Sequence, residues 1–254
     1  MIEQSALYSF YDRDPAPIVA FIEYVRASYG LPRPGAVLDI GCGPGRLLAP
    51  LAAAGWNVTG YEPDPNYAVA ATRVSDALAN VRVQRTGFLE LQETETFDLI
   101  AAVNGPYSYV LEARDRQEAM RRCARALRPG GVLLLEFSNF PWILRNYREP
   151  EPLERAIDGT QIRRTARHVI DYHEGTFTHH DHFAWVDASG RKGEAVKAHA
   201  MALVSFAEVR HFLEQAGFDE VRTFNEYTDR EPAPLRARRV LLTARKGEDR
   251  PRAS

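Results

Sequence analysis

A chain of 254 residues is long enough to enclose one sizeable core, and one α/β domain with an elaboration is the expectation at this length. Charged residues at 26% and hydrophobic residues at 45% exclude a disordered or fibrous chain. A net charge of -2 exerts no electrostatic pull towards nucleic acid or an anionic membrane.

The start Met1-Ile2-Glu3-Gln4 lacks the basic and apolar regions of a signal peptide. No apolar run approaches the ~20 residues that span a bilayer. A cytoplasmic address without membrane attachment is expected. Cys42 and Cys123 read as small packing residues rather than a disulfide or metal pair.

From Leu7 to Tyr29, Tyr8, Tyr11, Ile18, Phe21, Ile22 and Val25 recur at helical spacings. Asp14 is placed to cap this helix, Pro15 to occupy its first turn and Gly30 to end it. Val37-Leu38-Asp39-Ile40 then reads as strand 1, breaking into Gly41-Cys42-Gly43-Pro44-Gly45 before a helix from Arg46. Glycines there let the backbone turn sharply and approach a ligand closely. Leu47, Leu48, Leu51 and Ala54 form the inner face of that helix, and Val58 to Tyr61 form strand 2, with Glu62 at its tip. Glu62 follows the first glycine by about 20 residues, the separation at which a carboxylate reaches ribose hydroxyls in a βαβ unit. A dinucleotide fingerprint would need G-x-G-x-x-G, whereas here the third glycine comes one residue early.

Further elements are a helix from Pro65 to Leu78, strand 3 at Val81 to Val83, strand 4 at Phe97 to Val103 and a helix from Arg116 to Leu127. Arg128-Pro129-Gly130-Gly131 turns the chain into strand 5, Val132 to Glu136. About sixty residues precede the next helix at Phe206 to Gly217, too long a stretch to lack structure inside a compact domain. Within it, Ile162 to Tyr172, Thr176 to Val186 and Glu194 to Val204 read as three antiparallel strands separated by turns. Strand 6 at Glu220 to Phe224 and a hairpin partner at Arg239 to Arg245 complete the chain.

The segment Val37 to Gly45, together with Leu127-Arg128-Pro129-Gly130-Gly131-Val132, resembles class I S-adenosylmethionine (SAM) dependent methyltransferases. The aromatic-Pro element Asn139-Phe140-Pro141-Trp142 followed by a β insert is similar to the small-molecule group that includes the amino-sugar N-methyltransferases. The resemblance implies an α/β fold with a Rossmann-like seven-stranded mixed sheet, its last strand antiparallel, and helices on both faces. An antiparallel β insert after strand 5 would roof the active site. The SAM-binding domain is then expected over 1–137 and 205–246, with an N-terminal helical lid, and the substrate-covering insert over 138–204.

By the same resemblance Asp39, Gly41, Cys42, Gly43, Glu62, Pro63, Gly87, Phe88, Asn104 and Tyr11 are the candidate SAM-binding residues. Where the family often has Gly-Asp to receive the adenine amino group, this chain has Gly87-Phe88. Phe88 would offer an apolar face to the purine instead. The loop Asn104 to Tyr109 would lie beside the donor methyl group, which makes Asn104, Tyr107 and Tyr109 candidates for lining the reaction site. Tyr8 and Tyr11 either close over that site or dock a lid onto the core.

All seven histidines fall at or after His168, three of them in Thr178-His179-His180-Asp181-His182. With a period of two, His180 and His182 share one face and Phe177, His179, Asp181, Phe183 and Trp185 the other. The apolar company places the second face inward and leaves His180 and His182 towards the site or the solvent. Both are candidate general bases, since imidazole titrates near neutral pH. Cross-strand His and Asp pairs account for this composition without a metal, and no metal site is assigned.

The expected activity is methyl transfer from SAM to a small-molecule nitrogen or oxygen nucleophile, with no nucleic-acid partner and a homodimer left open. The alternatives are a SAM-binding protein without catalysis and a nicotinamide-dependent oxidoreductase.

Overall fold

The structure is a computed structural model that describes residues 14–157 and 159–247. Tyr8 and Tyr11, candidates for the lid and the cofactor site, lie outside the described residues.

Alternation along the buried strands organises the main sheet. Val37 faces one apolar cluster and Leu38 the other, and the same holds for Leu99 against Ile100 and Val132 against Leu133. Strands covered on both faces read as unbroken apolar runs, as in parallel sheets flanked by helices. The sheet has seven strands in the order β10-β11-β5-β4-β1-β2-β3. They are β1 (Gly35–Ile40), β2 (Trp56–Tyr61), β3 (Val81–Gln84), β4 (Phe97–Ala102), β5 (Leu127–Ser138), β10 (Phe218–Phe224) and β11 (Arg239–Lys246). β11 runs antiparallel to both of its neighbours, β5 and β10, while β1 to β5 are mutually parallel. The expected mixed sheet, hairpin partner included, is therefore present.

Three helices lie on one face: α1 (Ala16–Tyr29), α2 (Leu48–Ala53) and α3 (Pro65–Ser75). The opposite face carries α4 (Ala113–Ala126) and α6 (Phe206–Gln215). Arg116 of α4 ties these two together through a 2.7 Å ion pair with Glu208, and its Nη1 donates to the Val110 carbonyl at 2.9 Å. Gly30 ends α1 in the left-handed region, at φ 66°. The helix after the glycine turn starts at Leu48 rather than Arg46, because the turn itself runs on to Leu47.

Between β5 and α6 the chain builds a short helix α5 (Phe140–Arg145) and a second sheet of four strands, not three. These are β6 (Leu153–Ile157), β7 (Thr160–Asp171), β8 (Thr176–Val186) and β9 (Lys192–Ala202), antiparallel in that order. β6 escapes the sequence pattern because it is an edge strand exposed along most of its length, without the apolar alternation that marks a half-buried strand.

Candidate active site

The site is assembled where β1, β4 and β5 end. β1 hands over to the glycine turn at Gly41, whose N–H and that of Cys42 both donate to the Tyr61 carbonyl at the end of β2, at 2.8 and 3.0 Å. Gly41 sits at φ 75°, and a Cβ on it would stand 2.4 Å from the Pro106 Cβ, so both conformation and space demand glycine. Gly43 turns its N–H onto Glu62 Oε2 at 2.8 Å, while the Asp64 N–H donates to Oε1 at 2.8 Å. Asp64 in turn caps α3.

Glu62 is only 6% exposed. Burial raises its carboxyl pKa, and the two backbone N–H bonds act in the opposite direction. Each of its oxygens keeps a second lone pair for a ligand. Asp39, the one carboxylate of β1, is 2% exposed, and its Oδ2 has no hydrogen-bond partner among the described residues. Burial pushes its carboxyl up to about 7, against the pull of Arg46 and with the help of Glu62. A buried carboxylate oxygen without a donor is costly, and a cationic ligand group at that point would offset the cost. Pro63 and Gly87 face each other beside Glu62, a Cβ on Gly87 standing 3.9 Å from the Pro63 Cβ. Cys42 is buried, and its Sγ lies 3.0 Å from where a Gly60 Cβ would be.

Beyond β4 the chain passes through Asn104 at φ 64° and a 3-10 turn, Pro106–Tyr109. The Asn104 N–H donates to Glu136 Oε2 at 2.7 Å. Tyr227 donates its hydroxyl to the same oxygen, and Arg239 Nη1 stands 3.5 Å from the other. Sequence reasoning missed Glu136 and Tyr227. The available signal was a lone carboxylate closing an apolar strand, the same pattern as Asp39 in β1.

Two candidates turn inward. Tyr107 is fully buried and donates its hydroxyl to the Arg116 carbonyl at 3.2 Å. Burial raises its pKa further beyond the working range. Phe88 is 6% exposed and packs edge-on against Tyr107 at 6.0 Å, within the apolar core. The exposed tyrosine of this turn is Tyr109.

The second sheet leans over this edge with one face. Lys197 Nζ of β9 stands 3.3 Å from the Tyr67 hydroxyl of α3, and His199 lies edge-on to Tyr109 at 6.2 Å. Phe140 of α5 packs on Phe177 of β8 at 5.3 Å. On this inner face Phe177, Asp181 and Phe183 are buried, as the period of two requires. Asp181 is clasped by Arg164, with Nη2 to Oδ1 at 2.6 Å. His180 and His182 are on the opposite, outer face, where His180 is exposed and His182 pairs with Glu194 at 3.2 Å. The neighbouring Val196 of that outer face is 70% exposed. The two candidate bases thus point away from Tyr67 and Tyr109, because the apolar side of the insert and the side that covers the cleft are the same side. Among the described residues no group of three or more His, Cys, Asp or Glu is disposed to hold a metal ion, and no helix is long and apolar enough to cross a membrane.

Residues 37–131 match the family described as a methyltransferase domain. A segment of 105 residues is 35% identical to the ubiquinone biosynthesis O-methyltransferase of Rhizobium etli, spanning 41% of this chain and 41% of that enzyme. Among solved structures, a SAM-dependent methyltransferase from Clostridium acetobutylicum superposes with a TM-score of 0.79 at 16% identity, over 95% of this chain and 96% of that one. CalS10, an amino pentose methyltransferase from Micromonospora echinaspora solved with SAM bound, gives 0.75 at 20% identity over 95% of each chain. These two likenesses bear on the fold.

Proposed function

We propose that the chain, whose residues 37–131 match a methyltransferase domain, is a class I SAM-dependent methyltransferase and that it methylates a small-molecule acceptor held between the Asn104–Tyr109 turn and the inner face of β7, β8 and β9. When bound, SAM supplies a sulfonium-activated methyl group open to in-line displacement. The protein's own contribution is then positioning and exclusion of water.

The observation that carries the reading is the pair of buried carboxylates around the glycine turn. Glu62, with a free lone pair on each oxygen, is assigned to the ribose hydroxyls. Asp39, with its unpartnered Oδ2 beside the turn, is assigned to the ammonium of the amino-acid portion. Gly41, Cys42 and Gly43 bring the backbone close, and Pro63, Gly87 and Asn104 flank the cleft. Phe88 and Tyr107 are assigned to the wall behind it, as packing groups rather than contacts with the reacting atoms. Glu136 and Tyr227 hold the Asn104 backbone in its left-handed conformation. The acceptor side belongs to the insert, boundaries 138–204, which supplies the inner wall of the cleft.

The direct test is thermal unfolding with SAM, S-adenosylhomocysteine or NAD, followed by label transfer from methyl-labelled SAM to a panel of amines, phenols and carboxylates. Stabilisation by SAM and by S-adenosylhomocysteine but not by NAD, with label appearing in at least one acceptor, is the expected result. Stabilisation by NAD alone would overturn the reading. His180→Asn and His182→Asn, both on the outer face, are expected to leave methyl transfer within about twofold of the parent, since surface changes cost within about 0.5 kcal/mol. A drop of tenfold or more in kcat for either would place the outer face in the reaction after all.

A further inference from the structure

The register of the insert lines up three histidines that lie far apart in sequence. His168 of β7 is directly opposite His179 of β8, which is directly opposite His199 of β9. All three side chains are on the inner face, one per strand, in a row that crosses the roof of the cleft at roughly 5 Å per strand. The row begins at His199, edge-on to Tyr109 of the turn that follows β4. It ends at His168, whose ring is 4.2 Å from that of His179 and 5.8 Å from that of Tyr147. Phe177, itself buried, backs the row at 4.8 Å from the His168 ring and 5.0 Å from that of His179.

Three features of this row point to the chemistry of its ligand. Both ring nitrogens of His168 are buried without a partner among the described residues. Polar groups left so in a ring-lined wall are matched to a ligand that brings a donor or an acceptor. The charged groups that act on the row are Arg164, Lys197 and Arg238 against two carboxylates, Asp181, which Arg164 already binds, and Asp64 at the start of α3. With three cations to two carboxylates, one of them already engaged, the row favours an oxygen on which negative charge develops over an ammonium. Finally, the stack of rings accepts a planar group edge-on or offset.

We infer that the acceptor is a phenol, bound over the row beside the exposed Tyr147 ring, with His199 taking the phenolic proton and His168 and His179 holding a second polar substituent. This rests on the methyl-transfer reading above. As the acceptor oxygen forms its bond to the methyl carbon, its O–H bond breaks and the proton passes to the His199 imidazole. The sulfur keeps the electron pair of the bond it loses, and the imidazolium later releases its proton to solvent. Burial lowers the pKa of all three rings, that of His179 to about 4, so they are neutral at neutral pH and free to accept a proton or a hydrogen bond. The groups that face His199 electrostatically are Asp181, Lys197, Arg164, His179 and Asp64. An amine would need no such base, only to arrive unprotonated.

The test compares catechol and 4-hydroxybenzoate with benzylamine and methyl glucosaminide. Binding is read first, by calorimetry on the protein loaded with S-adenosylhomocysteine, and methyl transfer second, from labelled SAM. Catechol is expected to bind at up to millimolar concentration and to give an O-methyl product, whereas the two amines give none. His199→Asn is expected to lower kcat for catechol by roughly 100-fold or more with KM and S-adenosylhomocysteine affinity nearly unchanged. His168→Phe raises KM for catechol and spares the affinity for S-adenosylhomocysteine, which also reports that each variant is folded. The phenol assignment is overturned if an amine is methylated and no phenol is, if neither phenol binds, or if His199→Asn keeps its kcat. In each of those cases intact S-adenosylhomocysteine binding leaves the parent reading standing, and loss of that binding in the unaltered protein would remove both.

Discussion

Replacing Glu62 by Ala is expected to weaken SAM binding by roughly 100-fold to 10,000-fold. Two charge-assisted hydrogen bonds to ribose hydroxyls are worth about 1.5–3 kcal/mol each, and each 1.4 kcal/mol is tenfold in Kd. Part of the loss comes from the turn itself, because Glu62 also accepts the N–H groups of Gly43 and Asp64. Glu62→Gln separates the two contributions. It keeps an acceptor for one backbone N–H and one hydroxyl, and should bind SAM with an affinity between those of the parent and the Ala variant. Calorimetry measures all three, and an unchanged Kd for Glu62→Ala would remove the carboxylate from the ribose site.

Asp39→Asn should move stability and affinity in opposite directions. The folded carboxyl has its pKa pushed up to about 7 from 3.8, mainly by burial. A carboxyl raised on folding binds more protons in the folded chain than in the unfolded one. Its cost is therefore absent below about pH 4, grows as pH rises and levels off above about pH 7. Three units at 1.36 kcal/mol each put that cost on the order of 4 kcal/mol at pH 8. Asn carries no such penalty, so the variant without ligand should melt several degrees higher at pH 8, with the advantage shrinking as pH falls towards 4. The same change removes the partner assigned to the SAM ammonium, and affinity should drop by about 10-fold to 100-fold. Parallel melting curves and titrations at pH 5 and pH 8 read both effects. A lower melting temperature at pH 8 would show that the ionised carboxylate is satisfied within the protein.

These opposite effects follow from the part of the chain that was most legible in its sequence. The glycine turn and Glu62 are readable because each position has a single physical demand: no Cβ at Gly41, and an acceptor at the tip of β2. The seven-stranded sheet is readable for a similar reason, since strands buried on both faces leave unbroken apolar runs. Phe88 and Tyr107 were not, because an aromatic residue at the carboxyl edge of a sheet fits a ligand and the core equally well, and only packing chose the core for both. The insert shows how far a pattern reaches. The period of two in Thr176–Val186 separated the two faces of β8 correctly, with His179 beside Phe177 and Asp181, but it could not say that the apolar face and the cleft-facing side coincide. The row His168, His179, His199 depends on how β7, β8 and β9 are registered, and register is a relation between strands that no single segment contains. Glu136 and Tyr227 meet for the same kind of reason, one from β5 and the other from the loop before β11.

In a crystal structure with S-adenosylhomocysteine, the ribose hydroxyls are expected on the Glu62 carboxylate, the amino group at Asp39 Oδ2 and the sulfur facing the Tyr109 end of the histidine row. A ligand whose ribose lies away from Glu62, or whose sulfur faces away from the inner surface of β7, β8 and β9, would contradict that arrangement.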